Sequence, residues 1–139
     1  MKTFVILAVS IILVSILFCP MVLAAPSIPS DVQIVQPDPS LPKELSAFFG
    51  KWQGSDSFME YFLIVEKIDE EKASVYLWHS EYHGNPGGWM RYDAKVSKER
   101  GKYLVWFSGT WGINELKLKG EYLDYQYSRS MQPRLRRVP

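Results

Sequence analysis

The sequence predicts an all-β domain: a small antiparallel up-and-down barrel of seven or eight strands, preceded by one short α-helix. Two observations carry that expectation. From Lys51 onward no stretch sustains the 3.6-residue period of an amphipathic helix, and short runs of aromatic and β-branched residues alternate with turn signals instead. The connections between those runs are too short for the crossovers that parallel strands need, so consecutive strands must pair antiparallel. Such a meander closes most simply on itself, because closure removes the exposed edges of an open sheet.

The elements follow in order. Ser40 is placed to cap a helix with Pro42 in its first turn and Glu44 near its positive end; Leu41, Leu45, Phe48 and Phe49 recur at helical spacing, and Gly50 ends it. So short a helix is stable only if its apolar face covers something. Strands are expected over residues 51–53, 58–68 and 73–80, the last two separated by the polar turn at residues 69–72. Gly84-Asn85-Pro86-Gly87-Gly88 is the strongest breaker in the chain. Further strands are expected over residues 89–96, 103–108, 113–118 and 121–129, with a last short one at 135–138.

Alternation assigns faces. Met90, Tyr92, Ala94 and Val96 share one side and are expected in the core, while Trp89, Arg91, Asp93 and Lys95 share the solvent side. In the next strand Leu104 and Trp106 oppose Tyr103, Val105 and Phe107, so both faces are apolar and the helix at residues 41–49 is the available lid.

Residues 1–24 read as a cleavable signal peptide: Lys2 supplies the positive start, an uncharged run follows, Pro20 breaks it, and Val22-Leu23-Ala24 forms the cleavage site. The rival reading is a retained anchor, since residues 4–25 are long enough to span a bilayer. Residues 25–40, with Pro26, Pro29, Pro37 and Pro39, are expected to be a Pro-rich linker, leaving residues 41–139 as the barrel. Val32, Ile34 and Val35 are the linker residues able to lie along the domain. The chain is therefore expected to be exported, to the periplasm or outside the cell, and to be monomeric. Its membrane contact is expected only through the leader before cleavage.

Composition narrows the functions. The whole chain has 16 basic and 15 acidic residues, and loss of Lys2 with the leader brings the two into balance. A neutral domain lacks the field that holds phosphate backbones, which argues against nucleic acid as a partner. The single cysteine, Cys19, lies in the leader, so the mature chain has no disulfide, thiol chemistry or cysteine zinc site. Arg129, Arg134, Arg136 and Arg137 crowd the C-terminus, as solvated charge or as a contact for acidic glycan or head groups.

Phe48-Phe49-Gly50-Lys51-Trp52-Gln53-Gly54 is the most informative stretch. Gly50 supplies a left-handed turn, Trp52 a large apolar plug, and Gly54 room for a bend. The run resembles the start of the lipocalin-like, or calycin, barrels, and the segments at residues 41–45, 64–69, 75–78 and 88–91 resemble those of small exported bacterial proteins of unassigned function. The resemblance implies that Trp52 closes one end of the barrel with an arginine from near the last strand across its ring, a part for Arg136 or Arg129. The chain is short for that family and lacks its common disulfide, which argues against a deep cup.

Trp78, Trp89, Trp106 and Trp111, with Tyr76, Tyr82 and Tyr92, are the aromatic stock for a pocket or for the core. Trp89 and Arg91 follow the Gly-rich loop on the polar face and, with Trp78, Tyr76 and Glu66, are the candidate ligand-binding set. Glu66 points into the barrel if Ile64 and Ile68 are core, and then needs Lys95 or Arg91 as partner; in the other register it is solvated. His79, Glu81 and His83 share a face if the strand continues through them, a weak metal set set against a plain surface loop. No catalytic signature is present and no cofactor is implied; Ser80 and Ser108 lack the setting of a nucleophile. The first expectation is a non-catalytic binding module for a small apolar or amphipathic ligand at the mouth opposite Trp52. The alternative is a cell-envelope interaction domain recognising a protein, glycan or membrane surface, and the third is a small enzyme using His79, Glu81, His83 or Glu66.

Overall fold

The computed structural model describes residues 25–139, so the expected export leader lies outside the described residues. A short helix α1 (Lys43–Ser46) leads into β1 (Gly50–Ser55), β2 (Glu60–Ile68), β3 (Lys72–His79), β4 (Gly88–Glu99), β5 (Lys102–Gly109), β6 (Gly112–Lys119), β7 (Tyr122–Gln126) and β8 (Arg134–Val138). The strands pair antiparallel in chain order, and β8 returns to β1 to close an eight-stranded barrel. The fold is the one expected, and it is compatible with a calycin-like barrel.

Alternation fills the interior. Trp52, Tyr61, Leu63, Val65, Val75, Leu77, Ala94, Val105, Phe107, Leu116, Leu123, Tyr125 and Leu135 form one buried cluster, with Tyr92, Val96, Tyr103 and Leu118 packed against it. The face assignment of β4 thus holds for Tyr92, Ala94 and Val96. A bulge interrupts β2: Val65 pairs with Val75 but Lys67 pairs with Ser74, leaving Glu66 as the extra residue. Because of that extra residue, Val65 and Ile68 both reach the core while Glu66 stays on the outer surface.

The helix is shorter than expected. Beyond Ser46 the backbone tightens, with the Phe48 amide donating to Leu45 O and the Phe49 amide to Ser46 O. Ser40 does not cap it; its amide and hydroxyl both donate to the Asp38 carboxylate, and Pro42 occupies the cap position. Nor does the helix cover the outer face of β5. Leu45 and Phe48 enter the interior cluster beside Trp52, so α1 is an end plug, while Trp106 stays half-buried with the Lys95 ammonium 5.2 Å from its ring centroid.

The arginine on Trp52 is Arg137, not Arg136 or Arg129. The β1–β8 register sets Trp52 opposite Arg137, whose guanidinium lies 4.2 Å from the indole centroid. Its Nη1 donates to Phe49 O at 2.5 Å and its Nη2 to Ala47 O at 2.6 Å, while Trp52 Nε1 donates to Phe48 O at 2.9 Å. One side chain thereby satisfies carbonyls that the end of α1 leaves unpaired. Arg136, one residue earlier, points outward over Tyr122, and Arg129 is exposed between β7 and β8. Gly50 is required here twice over: its φ is +115°, and a Cβ would sit 2.7 Å from Arg137 Nη1.

Arg137→Ala is therefore expected to cost about 1–3 kcal/mol of stability through the lost cation–π contact and charge-assisted bonds. Arg136→Ala should stay within about 0.5 kcal/mol. Urea unfolding of the two variants checks this, and equal losses would reassign the closing residue.

Candidate functional site

The mouth opposite Trp52 is filled. Asp56 accepts hydrogen bonds from the Phe58 and Met59 amides at 2.8 and 2.9 Å and from the Tyr61 and Tyr127 hydroxyls at 2.8 Å each. The Tyr61, Tyr125 and Tyr127 rings meet at 5.4–5.8 Å, and Trp111 bridges Tyr127 and His79 at 5.6 and 4.8 Å. Deeper in, Tyr125 donates to Asn114 Oδ1 at 2.7 Å and Tyr92 stacks on Phe107. Burial pushes the Asp56 carboxyl up, but its four hydrogen bonds outweigh that and hold it below the usual carboxylate range. Burial raises Tyr127 to about 12 and lifts Tyr61 and Tyr125 further, so all three phenols stay protonated donors at neutral pH.

The metal set does not assemble. β3 ends at His79, which turns inward, 1% exposed, with Nδ1 2.9 Å from Ser80 O. A carbonyl only accepts, so Nδ1 carries the proton. Glu81 is exposed, and His83 sits at φ +47° in the tight turn between Tyr82 and Asn85. Among the described residues no three potential ligands come together.

Trp78, Trp89, Arg91, Glu66 and Tyr76 do come together, but on the outside of β2–β4 and beneath residues 27–35. Glu66 takes the outward register, with Leu63 and Val65 facing inward, but it is not solvated: it is buried outside the barrel, bonded to Arg91 Nε and Nη2 at 3.1 Å each and to Ser74 Oγ at 2.7 Å. Lys95, the other partner considered, lies over Trp106 instead. Burial raises the Glu66 carboxyl, but Ser74, the Gln33 amide and Arg91 together bring it below its ordinary value. Arg91 also lies 4.6 Å from the Tyr76 ring centroid, and Trp89 meets Phe62 and Tyr76 at 5.7 and 5.5 Å. Phe62, Ile64 and Tyr76 form a second apolar cluster here, joined by Trp78, Trp89, Val138 and Val32. The segment expected as a linker is thus docked on the sheet.

A large open cleft among the described residues lies elsewhere. β5 is shared between its neighbours: residues 102–106 pair with β4 and residues 105–109 with β6, so only Val105 and Trp106 belong to both ladders. Between Lys102–Leu104 of β5 and Lys117–Lys119 of β6 the strands part, at the barrel end that carries α1. A cleft of about 610 Å³ opens there, with Tyr103, Leu104 and Leu118 as its apolar wall and Arg100, Lys102, Lys117, Lys119 and one carboxylate, Glu99, around it. Tyr103 and Leu118 reach the interior cluster, so the wall is continuous with the core. Lys117 is paired with Glu115 and Lys119 with Asp124, whereas Arg100 and Lys102 make no ion pair among the described residues. Arg100 has φ +49°, beside Gly101 at +80°, a conformation strained for a side chain of this size. A second cavity of about 500 Å³ shares Leu118 and is lined by Trp52, Tyr122, Arg136 and Arg137.

Sequence reasoning missed this cleft. Its signal was the two-faced apolar start of β5 and the Lys117-Leu118-Lys119 alternation, but strand parting depends on pairing partners that one sequence does not display. Compared with known proteins, the chain matches no family model, no curated protein and no solved structure.

The Asp56 geometry has a pH consequence. A carboxyl held below its unfolded value of about 3.9 contributes stability that is present above that pH and lost as pH falls through the folded value. Asp56→Asn is expected to destabilise the chain at pH 7 by about 1–3 kcal/mol. It should also flatten the fall in stability below pH 4, as thermal unfolding across pH 2–7 would record; an unchanged acid limb would contradict the arrangement.

Proposed function

We propose that this chain is an exported, non-catalytic, lipocalin-like binding module, and that its ligand is a small amphipathic molecule with an anionic head. The observation that carries this reading is the parting of β5 from β6, which exposes an apolar wall continuous with the core between unpaired cations. Its volume of about 610 Å³ falls within the range of small-molecule sites. Each methylene buried on such a wall contributes about 0.8 kcal/mol, enough for a medium-length acyl chain to offset the cost of association. Arg100 and Lys102 would hold the head group, and the strained backbone at Arg100 places a guanidinium at the cleft's edge.

This site replaces the mouth as the place for the ligand, because Tyr61, Tyr125, Tyr127 and Trp111 already occupy the mouth. It keeps the expected ligand class.

Laurate displacement of 1-anilinonaphthalene-8-sulfonate, followed by fluorescence, tests the proposal. R100E/K102E is expected to weaken laurate tenfold or more while leaving 1-dodecanol within twofold, because the alcohol has the tail without the charge. Laurate that does not bind the native chain, or that binds the double variant unchanged, would overturn it.

A further inference from the structure

Residues 27–35 are held on the outer face of β2–β4 chiefly by their main chain. Trp89 Nε1 donates to Ser27 O at 2.9 Å, and Arg91 Nη2 donates to Asp31 O at 2.9 Å. The Gln33 amide donates to Glu66 Oε1 at 2.9 Å, and the Val35 amide to Glu66 O at 2.8 Å. Only two side chains of the segment are read. The Asp31 carboxylate meets Arg91 Nη1 at 3.4 Å and the Tyr76 hydroxyl at 3.2–3.3 Å, and Val32 packs on the cluster of Phe62, Ile64 and Tyr76. Its other aliphatic residues, Ile28, Ile34 and Val35, are 42–52% exposed. A segment whose sole job was to cover the sheet would turn those residues inward.

The buried charge in the floor stays paired without it. Glu66 keeps Ser74 and both Arg91 contacts when the Gln33 amide leaves, so removal of the segment strands no buried charge. Main-chain hydrogen bonds with one acidic and one aliphatic side-chain preference are the means by which a groove recognises an extended peptide.

We propose that the outer face of β2–β4 is a docking groove for an extended peptide segment of a partner protein, one carrying a carboxylate followed by a β-branched aliphatic residue. Residues 27–35 occupy that groove in cis. Being tethered, they compete at an effective concentration near the millimolar range, so a free segment binds well only where the strap is weakened or the partner supplies further contacts. Arg91 is the specificity-determining residue, and Trp89 and Glu66 read the main chain.

The test uses the full chain carrying D31A/V32S, which weakens the strap, and a fluorescein-labelled peptide of sequence PSIPSDVQIVQ, followed by anisotropy. The peptide is expected to bind the weakened chain at least tenfold more tightly than the native chain. It should lose at least tenfold when its own Asp-Val is replaced by Ala-Ser, and again when R91A is added to the weakened chain. Equal binding to native and weakened chains would overturn the proposal, as would strap exchange into a dimer of the weakened chain without capture of the peptide. Should the weakened chain fail to fold, hydrogen exchange of the native chain decides the matter. The Gln33 and Val35 amides are expected to exchange at least a hundredfold faster than those of β2. Exchange of both only at the rate of global unfolding would make the strap permanent and sink the idea.

Discussion

The pairing of β1 with β8 is the constraint on which the rest of the molecule depends. Eight antiparallel strands in chain order form a barrel only if the last returns to the first, and here that contact spans just Lys51–Gln53 against Arg136–Val138. So short a ladder needs reinforcement. Arg137 supplies it by binding the Trp52 ring and the carbonyls of Ala47 and Phe49 at once, tying α1, β1 and β8 together. Gly54 lets the two strands approach, since a Cβ there would lie 2.6 Å from Arg134 O.

Closure also dictates what the interior does. An eight-stranded barrel is just wide enough for side chains to fill. In this one they are large: Trp52 at one end, Tyr61, Tyr125 and Tyr127 at the other, and Phe107 between. The hydroxyls that such rings bring inside are satisfied by Asp56 and Asn114, and no buried side-chain polar atom among the described residues lacks a partner. The two proposed binding places therefore lie where the wall is imperfect or covered. The cleft between β5 and β6 is the first kind, and the strap-covered face of β2–β4 the second.

Much of the fold was legible in the sequence, because strand alternation and turn chemistry are local. The inward positions of Tyr92, Ala94 and Val96 on β4 and the plug at Trp52 follow from residue type and spacing. What was not legible depends on register. A one-residue difference on β8 decides whether Arg136 or Arg137 meets Trp52, the bulge at Glu66 returns Ile68 to the core, and the burial of the outward Glu66 comes from Arg91, Ser74 and the distant Gln33 amide. The five candidate binding residues lie together, on the outer face of β2–β4. The decisive partner, the segment at residues 27–35, looks in sequence like an unattached Pro-rich spacer. Its prolines keep it extended, which suits a strap as well as a tether.

The central claim is that this barrel is solid and that a small ligand enters through its side. NMR of the folded chain titrated with a spin-labelled fatty acid, doxyl-stearate, tests it most directly. The account requires selective broadening of the Tyr103, Leu104, Lys117 and Leu118 amides, with those of Tyr61, Tyr125 and Tyr127 unaffected. Broadening centred on the tyrosines at the mouth, with the β5–β6 cleft silent, would contradict it.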